Sequence, residues 1–174
     1  AKSLVSDIGF KELGSSNIGH QKQWEGSVFD VYDKASLNKE WTLKLSQHAK
    51  KRNIDFITSP YSLELLNYTL EMIDAIKIGS GDITWDLILE AVSNLKKPIL
   101  LATGASDFSE VEHAYRLISK SNKQICLMQC NTNYEGNSDH FKYQNINVLK
   151  QYSESFPEAL LGLSCHMPGH LTVL

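Results

Sequence analysis

The sequence predicts an α/β fold of repeated strand–helix units, with a parallel sheet whose strand ends share one polar edge. Three observations predict it. Five short apolar runs recur along the chain: Ile54-Asp55-Phe56-Ile57, Ala75-Ile76-Lys77-Ile78, Pro98-Ile99-Leu100-Leu101, Ile125-Cys126-Leu127-Met128 and Leu160-Leu161-Gly162-Leu163. Continuous apolar runs of this length describe strands buried on both faces, and a helix-length segment follows each of the first four. Each run also ends in small polar or ionisable residues: Thr58-Ser59-Pro60, Gly79-Ser80-Gly81-Asp82, Ala102-Thr103-Gly104, Gln129 to Tyr134, and Ser164-Cys165-His166. Parallel strands point the same way, so all five tips fall on the sheet edge where α/β proteins place their sites.

The elements follow in order. Residues 1–36 read as an irregular segment with Gly9, Gly14, Gly19 and Gly26, a long loop pinned by Trp24, Phe29 and Tyr32. A helix is expected from Asn38 to Arg52, with Trp41, Leu45 and His48 or Ala49 as its apolar stripe. Leu63, Leu66 and Leu70 mark the next, and Leu87, Ile88, Ala91 and Val92 the third. The fourth has two possible capping boxes, Asp107 with Glu110 or Ser109 with Glu112, and an inner face of Val111, Ala114, Tyr115 and Ile118. A polar stretch over 135–142 precedes a fifth helix at 146–155, and polar loops of that length are more often functional than structural.

Composition narrows the function. The chain of 174 residues is 42% hydrophobic, enough for one domain with a sizeable core. A formal charge of -3 without a basic cluster argues against nucleic acid as a partner. No apolar run approaches the roughly 20 residues that span a bilayer, and no secretory pattern opens the chain. Three cysteines at or near strand ends suit a reducing cytoplasm better than a disulfide framework. A closed (β/α)8 barrel usually needs about 250 residues. Five units therefore fit either an incomplete barrel or a five-stranded doubly wound sheet.

Lys77 lies inside an apolar strand beside Gly79-Ser80-Gly81-Asp82. A buried ammonium needs an anion, supplied either by a structural ion pair with Asp82, Asp55 or another carboxylate or by a bound phosphate or carboxylate ligand. Ser59, Thr103, Ser164 and Thr132 or Asn131 end other strands. Each alone is a cap or turn residue, but together they form a ring of neutral donors around a cation. No Walker-type loop and no G-x-G-x-x-G is present, so a nucleotide is poorly supported. His166 stands at a strand tip where it could ligate a divalent metal. Its partner at i+4, His170, lies beyond Pro168-Gly169 and is expected in a loop. Cys165 reads as a small semi-buried residue, and His20, His48, His113 and His140 carry no assigned role.

Taken in order, Thr58-Ser59-Pro60-Tyr61, Lys77 to Thr84, Leu101-Ala102-Thr103-Gly104, Leu127 to Tyr134 and Leu161 to His166 resemble successive strand-end motifs of the sialic acid synthase family over about residues 20–170. The resemblance implies a (β/α)8 TIM barrel of which about strands 3 to 7 are present. The whole chain, 1–174, is then a partial catalytic barrel without the family's C-terminal antifreeze-like domain. It implies condensation of phosphoenolpyruvate with an N-acetylated aldose, N-acetylmannosamine or a relative, to give a nonulosonic acid and phosphate. A divalent metal, Mn2+ or Mg2+, a cytoplasmic setting and a homodimeric intact enzyme are implied with it.

Position by position, the resemblance assigns Ser59, Lys77, Ser80, Thr132 and Ser164 to phosphoenolpyruvate. Asp82 and Tyr134 fall to the sugar, Lys77 and Asp82 to catalysis, and His166 to the metal as one of two family histidines. Ala102 replaces a serine found in many members, and Cys165 replaces an aspartate beside the metal histidine. This chain alone is expected to be inactive. Two alternatives remain: a non-catalytic anion-binding fragment of the same fold, or another phosphoenolpyruvate-condensing synthase, which would need basic residues for a sugar phosphate.

Overall fold

A computed structural model describes residues 27–134 and 138–173. Gly9, Gly14, Gly19, His20, Trp24 and Gly26 of the expected loop lie outside them. The described residues divide into two compact units, one within residues 27–56 and 60–72, the other within residues 57–59 and 73–173.

The first unit is helical where it is described. Helix α1 (Val28–Ala35) corrects the expectation of an irregular segment through residue 36. Ser27 caps it by accepting the Asp30 N–H, so Phe29 and Tyr32 sit on a helix rather than a loop. Helix α2 (Lys39–Lys51) begins after Asn38, whose side chain accepts the Glu40 N–H. Its expected apolar stripe is not its buried face: Trp41 and Leu45 are 55% and 43% exposed, while Ser46 is buried. Ser46 can go inside because its hydroxyl donates to the Met72 carbonyl at 2.7 Å, which satisfies the polar group. Helix α3 (Leu63–Thr69) is capped by Ser62 and buries Leu66 and Thr69.

The second unit holds a five-stranded parallel sheet. Its strands are β1 (Ile57–Thr58), β2 (Ala75–Ile78), β3 (Ile99–Ala102), β4 (Ile125–Gln129) and β5 (Leu160–Leu163), in the spatial order β1-β2-β3-β4-β5. Strand β1 is shorter and later than expected. It pairs with β2 only through Ile57 with Ala75 and Thr58 with Ile76, and Ile54 is 64% exposed. Helices α4 (Asp86–Ser93), α5 (Phe108–Ser119) and α6 (Val148–Ser155) connect β2 to β5. The fifth helix thus starts two residues later than expected, and a 3-10 helix over Ser138–Tyr143 occupies part of the polar stretch. Of the two possible capping boxes the structure uses Asp107 with Glu110, whose reciprocal bonds are both 2.9 Å.

Strand order decides between the two architectures. A doubly wound sheet reverses direction once, which puts helices on both faces. Right-handed crossovers that always advance to the next strand keep every helix on one face. Register shows that face: Ile76, Ile78, Ile99, Leu101, Ile125 and Leu127 share it, and each is at most 3% exposed. Ile88, Leu89 and Val92 of α4 and Val111, Ala114 and Ile118 of α5 are likewise buried. Each fully buried aliphatic side chain contributes about 1.5–3 kcal/mol. The aromatic rings of Phe108, Tyr115 and Tyr152 pack around Phe156 with centroids 4.5–6.0 Å from its own.

The opposite face carries Ile57, Ala75, Lys77, Leu100, Ala102, Cys126, Met128, Leu160 and Gly162. It is less well covered. Lys77, Leu100, Cys126 and Met128 are half-buried and Leu160 is 73% exposed, so β5 does not meet the expectation of burial on both sides. This face is concave. In a flat sheet β2 and β5 would stand about 14 Å apart, and a lysine's five single bonds of roughly 1.5 Å cover only about half of that. Yet Lys77 Nζ on β2 donates to Ser164 Oγ just beyond β5 at 2.5 Å. The strands must curl toward the lysine, as they do in a barrel wall.

Candidate functional site at the strand tips

The site is built from the C-terminal ends of these strands. Lys77 points from β2 onto the concave face because its neighbours Ile76 and Ile78 fill the helix-covered one. No carboxylate among the described residues pairs with it, and its bond partner is the neutral hydroxyl of Ser164. The structural ion pair with Asp82 or Asp55 is therefore absent among the described residues. Ser164 is held in place by its own N–H, which donates to the Gln129 carbonyl at 2.8 Å.

After β2 the chain forms a 3-10 turn over Ser80–Asp82, closed by the Asp82 N–H donating to the Gly79 carbonyl. Ser80 Oγ accepts the Gly104 N–H at 2.9 Å, tying the tip of β2 to that of β3. Asp82 is 9% exposed, and burial pushes its carboxyl above the ordinary carboxylate range. Ser59 follows β1, half-buried, with no side-chain hydrogen bond among the described residues.

Thr103 leaves the expected ring of donors. It is 6% exposed, donates to the Met128 carbonyl at 3.2 Å and accepts from Tyr152 Oη at 3.1 Å. Its proton and a lone pair both serve the scaffold. Ala102 is also buried, at 2% exposed. Asn131 Oδ1 accepts the Asn133 N–H at 2.9 Å, an Asx turn that shapes the end of β4. Thr132 is half-buried beside Gly104.

His166 packs its ring against Tyr134, with centroids 4.2 Å apart and planes at 46°. Lost water on that side, and then the charge of Lys77, hold its pKa below the usual histidine value. The neutral imidazole is the form that ligates metals. Among the described residues no group of three or more His, Cys, Asp or Glu gathers that could hold an ion. His166 is thus one competent ligand and not by itself a centre.

Sequence patterns did not reveal two contacts that shape this edge. Tyr152 reaches from α6 to Thr103, and an aromatic on an inner helix face looks like any other core residue. The second is a chain of amides: Gln144 Nε2 donates to Gln129 Oε1 at 3.1 Å, and Cys165 Sγ lies 3.4 Å from Gln144 Oε1. Cys165 Sγ also accepts the Met167 N–H at 3.3 Å, so the thiol fills the turn-forming role that a carboxylate would have there. All three cysteines are free.

A curved, all-parallel βα sheet with a cation and hydroxyls at its C-terminal edge defines an α/β protein of the TIM-barrel type. The comparisons with known proteins refine that class. The NeuB family profile matches residues 7–174, and the chain belongs to that family of sialic and nonulosonic acid synthases. It is 31% identical over 148 residues to N-acetylneuraminate-9-phosphate synthase of Drosophila melanogaster, covering 84% of this chain and 39% of that one. It is 30% identical over 147 residues to N,N'-diacetyllegionaminic acid synthase of Campylobacter jejuni, with 82% and 43% covered. Among solved structures, the N-acetylneuraminic acid synthetase of Leptospira borgpetersenii, in complex with citrate, superposes with a TM-score of 0.75 at 26% identity. That superposition covers 83% of this chain and 51% of the other.

The chain spans between about one third and one half of the length of the curated relatives it matches. Members of the family use divalent metals. No helix of the described residues is long and apolar enough to cross a membrane.

Proposed function

We propose that this chain carries the phosphoenolpyruvate-binding strand ends of a synthase that joins phosphoenolpyruvate to an N-acetylated aldose, giving a nonulosonic acid and phosphate. The observation that carries the reading is Lys77: an ammonium with no carboxylate partner among the described residues, on a concave sheet face, bonded to the hydroxyl of Ser164. A phosphate dianion and a carboxylate are what such a cation lacks. Ser59, Ser80, Thr132 and Ser164 supply neutral donors for the same anion. The citrate in complex with the Leptospira synthetase is, like phosphoenolpyruvate, a polyanion that carries a carboxylate.

Lys77 and these hydroxyls are assigned the task of fixing the phosphate and carboxylate, so that carbon 3 of phosphoenolpyruvate faces the aldehyde carbon of the open-chain sugar. As the new bond forms, the aldehyde oxygen needs a proton. Asp82, whose carboxyl pKa is raised by burial above the ordinary carboxylate range, is assigned as the donor. Water then adds at carbon 2 and phosphate leaves. Tyr134 is assigned to the face of the sugar. His166 is assigned as the chain's metal ligand; no group of three or more ligating side chains gathers among the described residues, and no step here passes through an ion. A cytoplasmic setting and a homodimer belong to the same proposal.

The test is binding first and turnover second. Calorimetric titration of the 174-residue protein with phosphoenolpyruvate should show one site that inorganic phosphate competes for. Added N-acetylmannosamine and manganese should release no phosphate, because only one of the family's two metal histidines is assigned in this chain. An absence of phosphoenolpyruvate binding refutes the anion site, and turnover refutes the account of the ligand set.

A further inference from the structure

The tip of β3 lies closer to its neighbours than any side chain there would permit. A Cβ built on Gly104 would sit 2.5 Å from Thr132 Cγ2, 2.9 Å from the Cys130 carbonyl oxygen and 2.9 Å from Ser80 Oγ. Ordinary contact begins at 3.4 Å. The ends of β2, β3 and β4 therefore converge on the space that a glycine leaves empty. The backbone turns at once beyond it, since Ala105 has a φ of +54° in the left-handed region that non-glycine residues rarely adopt.

The same residue sets the polarity of Ser80. A hydroxyl has one proton to donate and two lone pairs. The Gly104 N–H occupies one lone pair at 2.9 Å, and no acceptor among the described residues takes the Ser80 proton. Ser80 is left as a donor with its oxygen anchored, suited to a phosphate or carboxylate oxygen.

We propose that Gly104 is a positioning residue for the anion site, which brings Ser80 and Thr132 to a common point and commits the Ser80 hydroxyl to donation. This rests on the phosphoenolpyruvate reading above. A methyl at Gly104 cannot be absorbed by Cys130, whose contacting atom is backbone. The tip of β3 must shift to clear that carbonyl oxygen, and Ser80 and Thr132, both assigned to the anion, must rotate away as well. Thr132→Ser removes the Cγ2 atom of the tightest contact while keeping the hydroxyl.

The experiment compares the wild-type protein, Gly104→Ala, Gly104→Ala/Thr132→Ser and Ser80→Ala by calorimetric titration with phosphoenolpyruvate, with thermal melts alongside. Gly104→Ala is expected to weaken binding about tenfold or more, and Ser80→Ala by a similar factor. The double variant should regain a measurable part of that loss. A glycine that served only packing would lower the melting temperature and leave the dissociation constant unchanged, and that result overturns the proposal. So does a double variant that binds no better than Gly104→Ala.

Should Gly104→Ala fail to fold, the Gly104 amide resonance of the wild-type protein carries the test. It should shift on saturation with phosphoenolpyruvate, and Ser80→Ala should remove most of that shift; a shift unchanged in Ser80→Ala overturns the proposal. If the wild-type protein binds no phosphoenolpyruvate, the anion-site reading itself fails and takes this inference with it. That outcome is distinct from binding that is indifferent to Gly104.

Discussion

Lys77→Met separates a lysine kept for a ligand from one kept for the fold. Methionine matches the length of the side chain and suits the company of Ala75, Leu100 and Cys126 on the concave face. In the folded protein the ammonium has one neutral hydrogen bond, to Ser164 Oγ at 2.5 Å, and no carboxylate among the described residues. Its desolvation is therefore poorly compensated, and replacing such a charge by an apolar group is often neutral or stabilising. Because the side chain is only half-buried, the expected gain is small, about 0–1 kcal/mol.

Binding should move the other way. Truncating a desolvated charge that faces an oppositely charged ligand costs about 2–5 kcal/mol. Half-burial places Lys77 near the lower end, about 2 kcal/mol, or about 30-fold in the dissociation constant. Urea denaturation and calorimetry with phosphoenolpyruvate on the same samples read both signs. A variant that is destabilised by more than about 1 kcal/mol while binding phosphoenolpyruvate as well as the wild type would refute the reasoning, since the Lys77–Ser164 bond would then be structural.

Three further outcomes follow from the geometry. Burial raises the Asp82 carboxyl above its unfolded value, so the folded state holds the proton more tightly and stability falls as pH rises through the folded pKa. Asp82→Asn should therefore be more stable than the wild type at pH 7 and lose that advantage near pH 3, and a denaturation series in which the difference does not shrink across that range counts against it. The His166 imidazole should titrate below its ordinary value in NMR spectra, where the folded state binds fewer protons and stability is lost as pH falls below about 6.5. Tyr134→Ala, which rewets the ring, should raise that pKa, and Lys77→Met should raise it too; an unmoved titration in both variants would refute the assigned causes. Tyr152→Phe deletes the buried bond to Thr103 and should cost about 0.5–1.5 kcal/mol in urea. A change below about 0.3 kcal/mol would show that the bond contributes nothing net.

The apolar runs marked strands β2 to β5 closely, because a strand with a helix-covered face must keep an apolar residue at every second position, as Ile76 and Ile78, Ile99 and Leu101, Ile125 and Leu127, and Leu161 and Leu163 do. The pattern failed at the helix of residues 28–35, where Asp30, Asp33 and Lys34 dilute the apolar period, and at α2, where Ser46 rather than Trp41 goes inside. A serine that donates to a carbonyl can be buried cheaply, and hydropathy does not see its partner. Thr103 shows the converse limit. At a strand tip it looked like a free donor, yet its proton goes to the Met128 carbonyl and Tyr152, 49 residues later in the chain, bonds to its oxygen.

The sequence by itself determined the repeat of strand and helix, the alignment of the five polar tips on one edge and, through its motifs, membership of the NeuB family. Those properties are local: a strand's apolar run and the residues that end it are neighbours along the chain. What only the tertiary structure decided is long-range. That the strands advance β1 to β5 without reversal, that the sheet curls until Lys77 meets Ser164 across two intervening strands, and that Gly104 admits Ser80 and Thr132 to one point depend on how far apart separate segments come to rest. Crossover handedness and sheet twist set those distances, and neither is written in any single segment of the chain.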